Sequence, residues 1–392
     1  MNGKNNQYDV IIAGAGPAGA TLGYELARRG IGVLILEKST LPRYKPCGGG
    51  ITVRARDLLD FEIDPVTDCT ICDIHASLKF RIKGKRKSDK PLIYTVMRDG
   101  FDHFLVQKAR EAGAVVLDGN PVDSIELSRE HVTVYTVNGQ FAGQVLAGAD
   151  GVRSIVARHT ALNQHIAPYA VGIEGEVIVP EKVRASWDST IRLDLGNVAG
   201  GYGWVFPKKD HLSIGVCGPI KEAKNLKPYY RRFIDSLKLG KYEEIRREAH
   251  SISMRRGRSP LQQDRVMLLG DAAGLCDPLT GEGIYYAIKS ARIAAPVIAD
   301  YLQGNTPDLA GYQQEIDKEV APELDIAAKA AKILTVAPTL GMNLVIREKR
   351  VWDAACCVLR GEKSYLDLKR DVQRFPAFNT ALKIFRRLNA GK

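Results

Sequence analysis

"VIIAGAGPAGATLGYELARRGIGVLILE", residues 10–37, decides the fold. Val10 to Ala13 form a short apolar run that reads as a buried strand. Gly14-x-Gly16-x-x-Gly19 follows, then a helix in which Leu22, Leu26 and Ala27 recur at helical spacing. A second apolar run ends in Glu37, 23 positions after Gly14. Gly14 allows a tight turn, Gly16 lets a pyrophosphate reach the backbone, and Gly19 lets helix pack on strand. Free N–H groups at the helix start hold phosphate charge. Glu37 can accept from both ribose hydroxyls. The competing reading is a purely structural turn. Strand, glycines, helix, second strand and acid in one register favour dinucleotide binding, with NAD and FAD both fitting.

The choice between them comes from "RVMLLGDAAGLCDPLTGEGIYYAIKSA", residues 265–291. Another apolar strand, Val266 to Leu269, runs into Gly270-Asp271, and a helix carries Ile284, Ala287, Ile288 and Ala291. Pro278, Gly281 and Gly283 lie between them, so a Gly/Pro-rich turn again opens a helix. Asp271 can accept from a ribityl or ribose hydroxyl, and the helix start near Gly283 faces an electron-rich ring edge. A second binding end about 250 residues after the first suits a long, extended cofactor such as FAD. No second glycine-rich dinucleotide turn follows. The electron donor is then a transiently docked NAD(P)H or a reduced ferredoxin.

The bulk numbers are those of a globular protein: 392 residues, 45% hydrophobic, 26% charged, enough for two or three packed units. The opening "MNGKNNQYDV" lacks the apolar core of a secretory signal, and no apolar run approaches the ~18 residues of a membrane span. A cytoplasmic location is expected. The net charge of +11 is concentrated in "RIKGKRKSDK" (81–90) and "ALKIFRRLNAGK" (381–392). These read as a solvated hairpin and a solvated last helix, or as surfaces attracted to anionic lipid or to an acidic ferredoxin. Few aromatics interleave the basic runs and no recognition module is present, so nucleic acid is not expected. Cys69 and Cys72 have the spacing of half a zinc site without a second pair, and read as ordinary thiols.

In "GGYGWVFPKK", Tyr202, Trp204 and Phe206 are two apart, which puts all three on one face of a strand. Gly201 and Gly203 leave little on the other face to pack against a core, and Pro207 stops the ladder. This favours an aromatic wall over an ordinary core stripe. "IEGEVIV", "STIRLDL" and "HLSIGVCG" alternate apolar and polar residues, which predicts an antiparallel sheet over 166–254. From about 311 onward the patterns are helical.

The opening turn, "GADGVRS" (148–154) and "GDAAGLCDPLTGEGI" resemble the flavoprotein group that includes the aromatic-ring hydroxylases. "KPCGGGIT" (45–52) and "GGYGWVFPKKDHLSIGV" (200–216) are similar to the geranylgeranyl reductase family, whose members saturate polyprenyl double bonds. The resemblance covers about residues 8–300. It implies an α/β fold, with an FAD-binding Rossmann-like domain interleaved with an antiparallel β-sheet substrate domain, as in p-hydroxybenzoate hydroxylase, plus C-terminal helices. The expected division is 1–75, 91–165 and 255–310 for FAD, 76–90 and 166–254 for substrate, and 311–392 for the helices. The implied cofactor set is Gly14, Gly16, Pro17, Ala18, Gly19, Glu37, Lys38, Cys47, Gly48, Gly49, Gly50, Arg98, Val122, Asp150, Gly151, Gly270, Asp271, Pro278, Gly281, Gly283 and Ile284. Bland readings exist for several of these. Asp150 could be a turn residue, Arg153 a surface charge, and Arg98 a cation upstream of a helix starting near Phe101.

The resemblance also implies that the Cys47 loop passes beside the flavin ring. An isolated alkene accepts a hydride only if a proton reaches its other carbon, and positive charge builds on the substituted carbon meanwhile. Tyr202, Trp204 and Phe206 could stabilise that charge without trapping it. They would also line a dry slot for a prenylated, lipid-like substrate, where each buried CH₂ contributes ~0.8 kcal/mol. An ordinary cysteine thiol is mostly protonated at neutral pH, so this position could donate or relay the proton, or simply fill space. Two rival readings share parts of the pattern: an FAD-dependent aromatic monooxygenase, and a prenyl-lipid carrier without chemistry. The "CGGG" loop and the aromatic wall favour the reductase over the first. The intact flavin residues Glu37, Arg98 and Asp271 argue against the second.

Overall fold

The computed structural model describes residues 6–160, 162, 166–255 and 257–373. The basic segment 381–392 lies outside them. β1 (Gln7–Ala13) leads through α1 (Pro17–Ala27) to β2 (Val33–Leu36), which lies parallel beside it. α2 (Arg98–Glu111) packs against α1, and β3 (Gly139–Gly148) then pairs parallel with the other side of β1. The four-residue run of β2 is buried on both faces, which is why it reads as continuous apolar sequence rather than alternation.

The chain next leaves this sheet to build a second one from β4 (Ile166–Ile178), β5 (Thr190–Leu195), β6 (Tyr202–Pro207) and β7 (Leu212–Pro219). α3 (Ala223–Leu237) lies on one face, and β8 (Glu243–Arg255) is the edge strand. Their order is β8-β4-β7-β6-β5, extended by the hairpin 73–78 and 82–87. All pairs are antiparallel except β5 with 73–78, which run parallel.

β9 (Val266–Leu268) returns to the first sheet and pairs parallel with β3, and α4 (Ile284–Leu302) packs back against α1. Helices α5 (Ala321–Val336), α6 (Pro338–Arg347), α7 (Lys349–Leu359) and α8 (Tyr365–Gln373) follow.

Two expectations need correction. The glycine face of β6 is not empty, because a Cβ on Gly203 would sit 2.9 Å from the Tyr229 hydroxyl and 3.0 Å from the Phe233 ring, both on α3. The glycine brings sheet and helix into close contact, which pattern alone read as vacancy. The basic hairpin at 81–90 is also not wholly solvated, since a Cβ on Gly84 would clash with Ile346 of α6.

Candidate active site

β9, β3, β1 and β2 are parallel neighbours, so their carboxyl ends meet along one edge. Gly14, Glu37, Ala149-Asp150 and Gly270-Asp271 follow those four ends, where open α/β sheets bind ligands. Gly14 adopts φ +98°, and a Cβ there would lie 2.4 Å from the Ala149 carbonyl. A Cβ on Gly19 would overlap the Gly14 carbonyl, so the helix start presses onto the turn. Pro17 and Ala18 occupy the first turn of α1, which begins at Gly16 with no side chain capping it. Its N–H groups therefore stay available to phosphate.

Glu37 is buried and accepts from Ala15 N at 2.9 Å and Ser39 N at 3.1 Å. Lys38, next to it, is exposed. The Asn120 amide donates to the Glu37 carbonyl at 2.8 Å, bringing the segment that leads into Val122 to this end. Asp150 does more than turn the chain: it accepts from Ile155 N at 2.6 Å and Val156 N at 3.2 Å, while its other carboxylate oxygen is buried without a partner among the described residues. Gly151 sits at φ +77°, and Arg153 is exposed.

Arg98 is the first residue of α2 rather than a flanking cation, so that helix starts three residues before the expected position. Its guanidinium holds Asp102 in a two-point pair at 2.8 and 2.9 Å and lies near the Cys47 thiol. Arg43 bridges Asp102 at 3.0 Å to Glu37 at 3.4 Å. Burial alone would raise the Asp102 carboxyl, yet Arg98 and Arg43 hold it below its ordinary range. Glu37, Arg43, Asp102 and Arg98 thus form one chain of polar contacts from the first glycine turn towards the "CGGG" loop.

That loop meets the aromatic strand. A Cβ on Gly48 would stand 3.0 Å from both Trp204 Nε1 and Phe206 Cδ2, and one on Gly50 would stand 3.0 Å from Phe206 Cε1. Gly49, at φ +64°, faces the Val96 carbonyl so closely that no side chain fits. Lys208, fully buried just past β6, donates to Gly48 O at 2.9 Å and Val96 O at 2.6 Å, and so fixes the loop onto the sheet. Trp204 is buried and its indole N–H has no acceptor among the described residues. Tyr202, the third aromatic, donates to the Thr280 carbonyl and abuts Gly281 in the late turn.

The late turn is held from outside. Asp277 accepts from Leu279 N, Thr280 N and the Tyr365 hydroxyl of α8, at 2.7, 3.1 and 2.7 Å. Buried Arg54 pairs with Glu282 and stacks 4.1 Å above the Tyr285 ring. Pro278 and Gly283 lie between these anchors, and Ile284 begins α4. Gly270 adopts φ +54° and donates its N–H to Ser290. Asp271 pairs with Lys45 at 3.3 Å, and Lys45, His250 and Arg98 outweigh burial to hold its carboxyl low. His250 is pushed down to about 4 by burial, with Lys45 and Arg98 adding to the effect.

The structure therefore brings together the residues singled out in the sequence: the first turn, Glu37, the Cys47 loop, Arg98, Asp150, Asp271 and the aromatic strand. Others escaped the sequence reading. Glu174 and Glu176 on β4, with Tyr44 and His211, form a polar cluster beside the same loop. Their signal was "IEGEV", two acids two apart on one strand face, which resembles ordinary solvent-side alternation. Lys208 gave no signal beyond being one of two adjacent lysines.

The orphaned Asp150 oxygen, the uncapped helix start and the glycine cradle fit a dinucleotide lying along the sheet edge. Fold and site define an FAD-dependent oxidoreductase of the hydroxylase-like architecture. The sequence model of the FAD binding domain family matches residues 7–192. Geranylgeranyl diphosphate reductase from Nicotiana tabacum is 30% identical, covering 84% of this chain and 75% of that protein. Digeranylgeranylglycerophospholipid reductase from Methanothrix thermoacetophila is 28% identical, covering 81% and 86%. Among solved structures, a geranylgeranyl bacteriochlorophyll reductase-like protein from Thermoplasma acidophilum superposes with a TM-score of 0.77 at 23% identity, over 93% of this chain and 99% of that one. The chain belongs to the geranylgeranyl reductase family. Its cofactor is FAD.

Proposed function

We propose that this protein saturates C=C bonds of a geranylgeranyl or other polyprenyl chain, with Cys47 as proton donor or relay and Tyr202, Trp204 and Phe206 as the wall against which the alkene lies. The observation that carries this reading is the contact between the "CGGG" loop and the aromatic strand, where Gly48 lies against both Trp204 and Phe206. Gly14, Gly16, Gly19, Glu37, Asp150 and Asp271 would hold the cofactor along the sheet edge, with residues 1–75, 91–165 and 255–310 as its unit. Bound, reduced FAD supplies the hydride.

The protein's own groups do the rest. Lys208 and Gly49 fix the loop, Arg98 places positive charge near the Cys47 thiol, and the aromatic faces stabilise cationic charge while excluding water. The two relatives' names point to different head groups, a diphosphate and a glycerophospholipid, and either chain end fits this chemistry. Electrons would come from docked NAD(P)H or reduced ferredoxin, and the basic surface would meet an acidic protein or the membrane face from the cytoplasm.

The test is to incubate dithionite-reduced protein with several prenylated candidates and to analyse the products by mass spectrometry. A gain of about two mass units per double bond identifies substrate and extent. Insertion of one oxygen atom from dioxygen would replace this reading with a monooxygenase.

A further inference from the structure

Beneath the "CGGG" loop, β4 places Glu174 and Glu176 on one sheet face, two residues apart. Both are buried. Glu174 accepts from the Ser213 hydroxyl and lies against the Cys47 backbone N–H, while its second oxygen has no partner among the described residues. A carboxylate oxygen left dry and unpaired is costly, and a proton on it removes the cost. Glu176 accepts from Tyr44 at 3.0 Å and from His211 Nε2 at 2.9 Å. His211 Nδ1 meets Asp210 at 2.6 Å, and the Asp210 side chain is 84% exposed. A set of polar contacts therefore runs from solvent at Asp210 through His211 to Glu176 and Tyr44, and Glu174 stands two residues from Glu176 on the same strand face, beside Cys47.

We infer that Glu174 is the proton reservoir for the reaction, reloaded from water through Asp210, His211 and Glu176, and that it acts through Cys47. The inference rests on the prenyl-reduction reading above. Saturating one double bond breaks a π bond and forms two C–H bonds, consuming one hydride and one proton. The hydride and its two electrons come from the cofactor, which ends oxidised. The proton comes from the Cys47 thiol. Glu174 returns a proton to the sulfur, becomes a carboxylate, and is reprotonated from solvent.

The surroundings set its charge. Glu176 and Ser213 flank Glu174 on the sheet, Glu248 faces it from β8, Tyr44 and Cys47 face it from the loop, and Lys208 lies nearby. Tyr230 of α3 senses it from across the sheet. Burial, reinforced by Glu176, pushes the Glu174 carboxyl up to about 7, while Lys208 opposes the shift only in part. Burial would lower His211, but its bonds to Glu176 and Asp210 raise it on balance.

Three measurements on the FAD-loaded protein test the role. Infrared titration of the wild type should show a protonated carboxyl that ionises near pH 7 and is absent in Glu174→Gln. Between the ordinary value of 4.5 and about 7 the folded chain holds a proton that the unfolded chain has released. Wild-type Tm should therefore fall relative to Glu174→Gln as pH rises through that window. In turnover, kcat of the wild type should decline above pH 7, and Glu174→Gln should lose at least ten-fold and that decline with it. Asp210→Asn, at the exposed end, leaves the core intact and should slow turnover several-fold with a larger solvent deuterium isotope effect. A wild type active on prenyl substrates whose Glu174→Gln variant keeps both kcat and pH profile overturns the reservoir alone. Should Glu174→Gln fail to fold, absence of the titrating carboxyl in the wild type, or an Asp210→Asn variant with unchanged rate and isotope effect, overturns it. A wild type that reduces no prenyl substrate removes the function reading and this role together.

Discussion

Cys47 shows how far a single residue could be read. Its setting between a proline and three glycines was visible in the sequence, and the structure seats the loop against Trp204 and Phe206. What fixes it there was not visible. Arg98 of α2 lies near the thiol, and Lys208 holds the Gly48 carbonyl from the far end of β6, 160 positions away in sequence. Contacts that distant leave no local trace in composition or period. Changing Cys47→Ala should leave the yellow FAD absorbance of the purified protein intact while alkene reduction falls roughly 10²-fold or more, the span expected for losing a positioned proton donor. Unchanged turnover in that variant would take the thiol out of the reaction.

Strand β6 illustrates the same split for an element. Period-two spacing correctly gave three aromatics on one face, and that face looks toward the glycine loop and the late turn. The opposite face was misread because a glycine can mark close helix packing as well as empty space, and α3 occupies it. On the neighbouring strand β7, Gly215 lies directly beside Trp204, whose ring covers the place a Cβ would take. Gly215→Ala should therefore displace the indole, lower stability by about 1–3 kcal/mol and impair turnover more than FAD retention. Chemical denaturation and a flavin-release assay on one preparation would check both. Helix α8 supports the opposite side of the site, where Tyr365 donates to buried Asp277. Tyr365→Phe should cost about 1–3 kcal/mol by leaving that carboxylate one donor short, and should speed FAD release. Equal release rates for variant and wild type would show that the late turn holds without α8.

Across the whole molecule, the parallel sheet and its ligand edge were legible because each βα turn carries its own signature. The charge balance was not, since it depends on which groups burial brings together. His250 is the clearest case: no motif marks it, yet it lies between Lys45, Asp271 and Arg98, with its pKa near 4 in the folded chain against 6.5 when unfolded. The unfolded chain takes up that proton first, so the contribution of His250 to stability is complete above about pH 6.5 and is lost as pH falls toward 4. The loss should be about 1–3 kcal/mol once shared with its charged neighbours. A His250→Asn variant should unfold with a flatter acid limb in Tm against pH, and an unchanged limb would assign acid sensitivity to other groups.

The order of strands has a consequence for synthesis. β1 opens the chain, yet β9, the parallel strand that completes its side of the ligand edge, comes some 250 residues later. A polypeptide still on the ribosome has its opening turn long before Asp271 emerges, and in the interval it makes the whole second sheet. Domains generally fold as units, N-terminal part first, at ~5–20 residues per second. Here the first unit has to wait tens of seconds for its last strand. Cofactor capture is therefore a late event in the life of each chain, and shortage of FAD would leave fully elongated, incompletely closed molecules rather than stalled early fragments.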